Sequence, residues 1–179
     1  DRRGSPFPSD RFTVADPTQN TGLRVHLPKP DCTVRPNDCQ NLDVINTLDG
    51  INVQPRLSVP FDGAIDVARV TSQNVFLVSL GSTLEGGGLG GRVIGINQVV
   101  WDVATTTLHV ESDEILDQHT RYALLVTKGV LDEDGQAVKA AKAFLTFVDD
   151  SNSESTGDPG LDAYRMLLRD TLSQLDAAG

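Results

Sequence analysis

Long apolar runs are missing from this chain, and positive charge is in deficit. No stretch approaches the ~20 apolar residues that span a bilayer, so no membrane span is expected. Fifteen Lys and Arg face 25 Asp and Glu, leaving a formal net charge of -10. Such a surface repels phosphate backbones and anionic lipid, which argues against nucleic acid as a partner. Catalytic signatures are equally scarce. A nucleophile elbow requires Gly-x-Ser-x-Gly on a strand-to-helix turn, and no such run exists; Ser79-Leu80-Gly81-Ser82 comes nearest and lacks the spacing. His26, His109 and His119 stand in three separate settings, and His109 and His119, without a neighbouring metal-ligand pattern, read as surface histidines. No catalytic residue, cofactor site or metal site is assigned.

Cysteine is nearly absent too. Cys32 and Cys39 are the only two, and they flank a turn-rich Thr-Val-Arg-Pro-Asn-Asp. Paired in number and close in sequence, they suggest one disulfide closing a short loop. That bond belongs to an extracellular or periplasmic setting, or the cell surface. Two free thiols in a cytosolic protein are the other reading. The opening Asp1-Arg2-Arg3 carries no Met and no signal-like run, as expected of a piece of a longer precursor.

What the chain does have is a succession of short strands. Leu57, Val59 and Phe61 alternate with polar residues, the period of a half-buried strand. Val75–Val78, Val93–Ile96, Val99–Trp101, Thr107–Val110 and Tyr122–Val126 are further apolar or β-branched runs. Phe144, Thr146 and Val148 alternate against Leu145 and Phe147 as a last strand. Roughly seven strands at 8–12-residue spacing predict a mainly β protein, an antiparallel β-sandwich over 55–148. Tyr122, at the start of a late strand, is placed either to hydrogen-bond back to the backbone and close a corner between sheets, or to pack as a plain interface aromatic.

Residues 1–54 form an irregular arm. Pro6, Pro8, Pro17, Pro28, Pro30 and Pro36 block helix interiors and central strands. One short helix is predicted over 41–48, with Leu42, Ile45 and Leu48 at helical spacing, Asn41 as cap and Gly50 as stop. Thr13-Val14 and Leu23–Leu27 suit edge strands or straps.

Residues 149–179 read as an acidic linker followed by an amphipathic helix. Asp158 caps it and Pro159 takes its first position. Leu161, Tyr164, Leu168, Leu172 and Leu175 make one apolar stripe, which must pack on the sandwich or dock on a following domain.

One glycine-rich and two acidic stretches invite other readings. Gly86, Gly88 and Gly91 spell a formal Gly-x-Gly-x-x-Gly, but a β-branched strand follows where a phosphate site needs a helix. Asp132–Gly135 and Asp150–Glu154 are acidic, yet counting from Asp150 puts Ser155 and Leu161 where an EF-type loop needs Gly and Glu.

Short phrases carry a family likeness. Val59-Pro60-Phe61-Asp62-Gly63-Ala64-Ile65-Asp66, Leu116–Tyr122, Gly129–Gly135 and Phe144–Phe147 resemble a bacterial Ig-like domain of the S-layer, SbsA-related type. Pro6–Phe12, Asn46–Gly50 and the closing helix with Ala163-Tyr164-Arg165 resemble the region ahead of the catalytic domain in large secreted bacterial esterases and lipases, the virulence-factor-lipase-like group. The resemblance implies an Ig-like sandwich without catalytic residues, and as partner a downstream α/β-hydrolase domain, in cis or as a cleaved companion. A cell-surface binding or adhesion module, recognising glycan or protein, is the alternative, because fold alone does not decide between the two.

Overall fold

Alternation in the strands sets which side chains meet. In the computed structural model, which describes residues 4–150, 155–157 and 159–178, eight strands form three antiparallel sheets and three α-helices flank them. The strands are β1 (Thr13–Ala15), β2 (Leu23–Val25), β3 (Arg56–Pro60), β4 (Val75–Ser82), β5 (Val93–Ile94), β6 (Ile96–Asp102), β7 (Thr107–Ser112) and β8 (Thr120–Val126). The helices are α1 (Pro36–Ile45), α2 (Lys142–Asp150) and α3 (Pro159–Ala178). One sheet runs β3-β7-β6, another β5-β4-β8, and β1-β2 is a separate hairpin.

The two three-stranded sheets share one core. Leu57 and Val59 of β3, Leu108 and Val110 of β7 and Ile96 of β6 meet Val75 and Leu77 of β4 and Ile94 of β5. Leu108, Val110 and Val75 are completely buried. Register explains the sorting: Leu57 pairs with Val110 and Val59 with Leu108, so one face of the pair is wholly apolar. The opposite face carries Arg56, Ser58, Thr107, His109 and Glu111. On β4 the inward Val75 and Leu77 alternate with outward Phe76 and Val78. Phe76 and Val78 are apolar too, as expected of a strand covered on both sides.

Tyr122 closes a corner. Its side chain packs on the core while its hydroxyl accepts the Asp117 N–H at 2.9 Å, five residues upstream. Arg92 braces the same loop through Glu114 and through Asp117 at 2.8 Å.

The arm is strapped on by backbone pairing. Phe7 donates to Ser58 O at 3.0 Å and accepts from Ser58 N at 2.7 Å, so it covers the free edge of β3. Phe12 and Val25 are buried, and Phe7 meets Phe12 edge-on at 5.4 Å. Helix α1 starts five residues before the expected 41–48 position. Proline is tolerated in a first turn, and Pro36 takes that place, so Asn41 lies inside the helix instead of capping it. Cys32 and Cys39 are joined by a disulfide, tying the preceding loop to α1.

Asp49 fastens the arm electrostatically. Burial pushes its carboxyl upward, but hydrogen bonds from Thr21 Oγ1, Thr21 N and Asn20 N, helped by His119, hold it below its ordinary 3.8. A carboxyl depressed in the folded state stabilises it fully above the unfolded value of about 3.9 and loses that contribution as pH falls through the folded value. Asp49→Asn is therefore expected to flatten this part of the acid limb in a pH series of urea unfolding curves. An unchanged limb would show that the carboxylate contributes nothing.

The last expected strand is absent. Phe144–Val148 lie within α2. The run is apolar at 144, 147 and 148, which fits a helical face as well as a strand. The preceding Lys139-Ala140-Ala141-Lys142-Ala143 supplies strong helix formers with no turn residue. The sandwich expected to extend to 148 therefore has its last regular strand in β8. After it, Ile65–Asp132 and Leu131–Ala137 are isolated bridges.

Candidate functional site

Helix α3 places the predicted stripe against the chain itself. Tyr164, Leu168, Leu172 and Leu175 are half-buried, while Leu161 at the helix start is 36% exposed. Leu175 shares a shallow cleft with Val78, Leu80 and Gly90, so the helix end lies beside β4. Arg121 of β8 ties three parts together. Its guanidinium reaches Asp10 of the arm at 3.5 Å, Thr171 at 3.5 Å and Asp170 at 3.7 Å. Tyr164 stacks on Phe147 with ring centroids 5.2 Å apart. Burial, followed by the nearby Asp10, raises its phenol pKa. The proposed Asp158 cap and residues 151–154 of the acidic linker lie outside the described residues.

Part of the helical pair stays uncovered. Phe144 is 49% exposed and Leu145 51%, one turn or less before the stacked Phe147. A second apolar projection is the glycine loop after β4, where Leu89 is 97% exposed. That loop folds back on its strand: Gly91 N–H donates to Ser79 O at 2.7 Å and Ser82 N–H to Gly88 O at 2.9 Å. A Cβ at Gly90 would stand 2.7 Å from Ser79 O, so the return path requires glycine there. These amides are used within the loop, and the strand β5 follows, so the stretch is not built as a phosphate cradle.

One nucleophile–base pair does form. Ser58 Oγ and His109 Nδ1 lie 2.9 Å apart across β3 and β7. Sequence reading missed it, because pairing Ser58 with His109 needs the strand register, which no local pattern reveals. Asp102, on neighbouring β6, is the near carboxylate. Hydrogen bonds from Thr105 Oγ1 and Ala104 N, with His109 adding a smaller pull, hold its carboxyl below the usual range. Its two oxygens thus serve the β6–β7 turn and do not orient the imidazole. The Ser58 N–H is committed to Phe7 O and so does not serve as an oxyanion donor at the nucleophile. It sits on an open sheet face, and Ser58 and His109 satisfy each other as a cross-strand pair.

Metal-binding residues do not gather either. Among the described residues, no three His, Cys, Asp or Glu side chains converge as a cage would need. Asp132 Oδ1 accepts from Asp134 N at 3.0 Å and Gln136 N at 2.7 Å, capping its own turn. Among the described residues no helix is long and apolar enough to cross a membrane. No protein-family model matches the chain, and no curated protein matches it at a significant level.

Proposed function

We propose that this chain is a non-catalytic Ig-like β-sandwich module from the front of a secreted bacterial lipase or esterase, where it packs against and positions an α/β-hydrolase domain. The observation that carries this reading is the uncovered apolar surface of α2. Phe144 and Leu145 face solvent where the chain leaves the β body, although the neighbouring Phe147 is already stacked on Tyr164. Large exposed apolar side chains gathered on one element suit contact with another folded body. The two sheets around one core, the Tyr122 corner and the disulfide-closed loop accord with such a module. A hydrolase domain packed on α2 would bury both residues.

Two observations are expected. The chain alone should leave p-nitrophenyl butyrate and longer p-nitrophenyl esters at the background rate of hydrolysis. Ser58→Ala should not change that rate. Hydrolysis above background that disappears in Ser58→Ala would overturn the reading and assign catalysis to the open Ser58–His109 pair.

The adhesion alternative rests on the glycine loop. Leu89, presented at 97% exposure on a loop tethered by its own backbone bonds, is placed as a recognition tip would be. Retention on cell-wall glycan that Leu89→Ser abolishes would favour this second reading.

A further inference from the structure

A groove opens along the free edge of β6. It is a shallow, open depression with a volume of about 550 Å³. Trp101 forms one wall and the segment around Ala64 and Val67 the other, with Val103 at the rim. The polar side chains lining it are Asp66 and Glu133, both carboxylates.

The fold holds these groups in place. Trp101 pairs with Leu108, so its side chain points toward the inner layer at the sheet edge, where it remains partly exposed. Phe61 meets its ring edge-on at 6.0 Å and fixes that side of the indole. The Ile65–Asp132 bridge and the Asp66 N–H to Leu131 O bond at 2.8 Å bring the segments carrying Asp66 and Glu133 together. Asp132 is consumed by its own turn, and Glu133 is left exposed beside it. Arg69 approaches Asp66 at 3.0 Å and offsets part of that charge. Asp62, Asp102 and Asp134 flank the lining segments, so carboxylates outnumber Arg69 locally.

We propose that this groove binds a basic side chain, lysine or arginine, of a partner peptide segment. The cation lies against the open part of the Trp101 indole, the aliphatic stem along Val67 and Val103, and the charge between Glu133 and Asp66. A cation over an indole face is stabilised by the ring quadrupole, more strongly where water is excluded. Charge complementarity selects this occupant over a neutral saccharide. A sugar would strip water from two carboxylates without bringing a countercharge, whereas a basic side chain compensates them.

The chain carries one tryptophan, so its emission and its single indole N–H resonance report directly on the groove. The full chain is titrated with acetyl-Arg-Arg-Lys amide, with acetyl-Gln-Gln-Gln amide, and with maltotriose. Saturable changes in both signals are expected from the basic peptide alone. Glu133→Gln, at an exposed position that does not endanger folding, is expected to weaken binding about ten-fold. Asp43→Asn on α1 removes the same charge elsewhere and is expected to leave affinity unchanged. Three results overturn the site. They are no saturable change with the basic peptide, equal weakening by Asp43→Asn, which would indicate diffuse attraction to an acidic surface, or a response to maltotriose in place of the peptide. Because the test reads peptide binding and not ester hydrolysis, it fails independently of the proposal for the parent protein.

Discussion

Leu108→Ala is expected to destabilise the folded chain by about 2–5 kcal/mol, the cost of emptying a leucine site that packing closes only partly. Leu108 is completely buried on β7, the middle strand of its sheet, with Val59 on one side and Trp101 on the other. It also belongs to the cluster that joins the two sheets, so the cavity would open between them. A loss of this size is a large share of the 5–15 kcal/mol typical of a folded domain. Urea unfolding followed by circular dichroism measures it. Thr107→Ala, next in sequence but on the polar face, provides the comparison and is expected to stay within about 0.5 kcal/mol. If the two substitutions cost the same, the shared core described here is wrong.

Opening the Cys32–Cys39 disulfide is expected to have the next largest effect. For a loop this short the chain-entropy relation gives about 2.5 kcal/mol. Cys39 is buried on α1 and Cys32 sits in the loop before it, so the bond limits how far that helix can wander when the arm opens. The arm is held to the body by a modest set of backbone bonds, among them Phe7 to Ser58 and Leu116 to Val53. Reduction and alkylation should therefore speed hydrogen exchange in α1 first and lower the unfolding midpoint second. Exchange in β7 that accelerates as much as in α1 would mean that arm and body open as one unit. Unchanged exchange in α1 would mean that the bond restrains nothing.

Strand content was legible wherever apolar and polar residues alternate. Leu57–Val59 and Thr107–Val110 each declare one wet and one dry face, Tyr122–Val126 reads as a buried apolar run, and each lies in an observed strand. Tyr122 was legible as a candidate corner residue beside the plain interface aromatic, and the Asp117 N–H on its hydroxyl decides for the corner. Phe144–Val148 was not legible as a helix. A dense apolar run satisfies both periods, and only the alanine- and lysine-rich residues before it favoured α2. The start of α1 was misplaced because Asn41 read as its cap, although Pro36 in a first turn favours a helix beginning there.

Sites made by pairing were harder still. His109 read as a surface histidine, and nothing local connects it with Ser58, 51 positions away. The groove at Trp101 is of the same kind. Its aromatic was counted as a strand residue, and its carboxylates, Asp66 and Glu133, drew no ligand assignment. The signal available was one tryptophan followed by Asp102, in a chain that also carries acidic turns at 62–66 and 132–134. Which of those turns would meet the tryptophan depends on the crossover after β3 and on the Ile65–Asp132 bridge. Both are long-range consequences of the sheets having formed.

The Arg121 contacts bear on how the molecule can be cut. Asp10 near one end of the chain and Asp170 near the other converge on a single guanidinium rising from β8. Trimming either terminus would strip a counter-ion from that strand, and removing the final helix would also bare Val78 and Leu80 to water. The smallest fragment that keeps its core dry is thus set by what must be shielded at both extremities, and a piece confined to 55–126 is expected to clump.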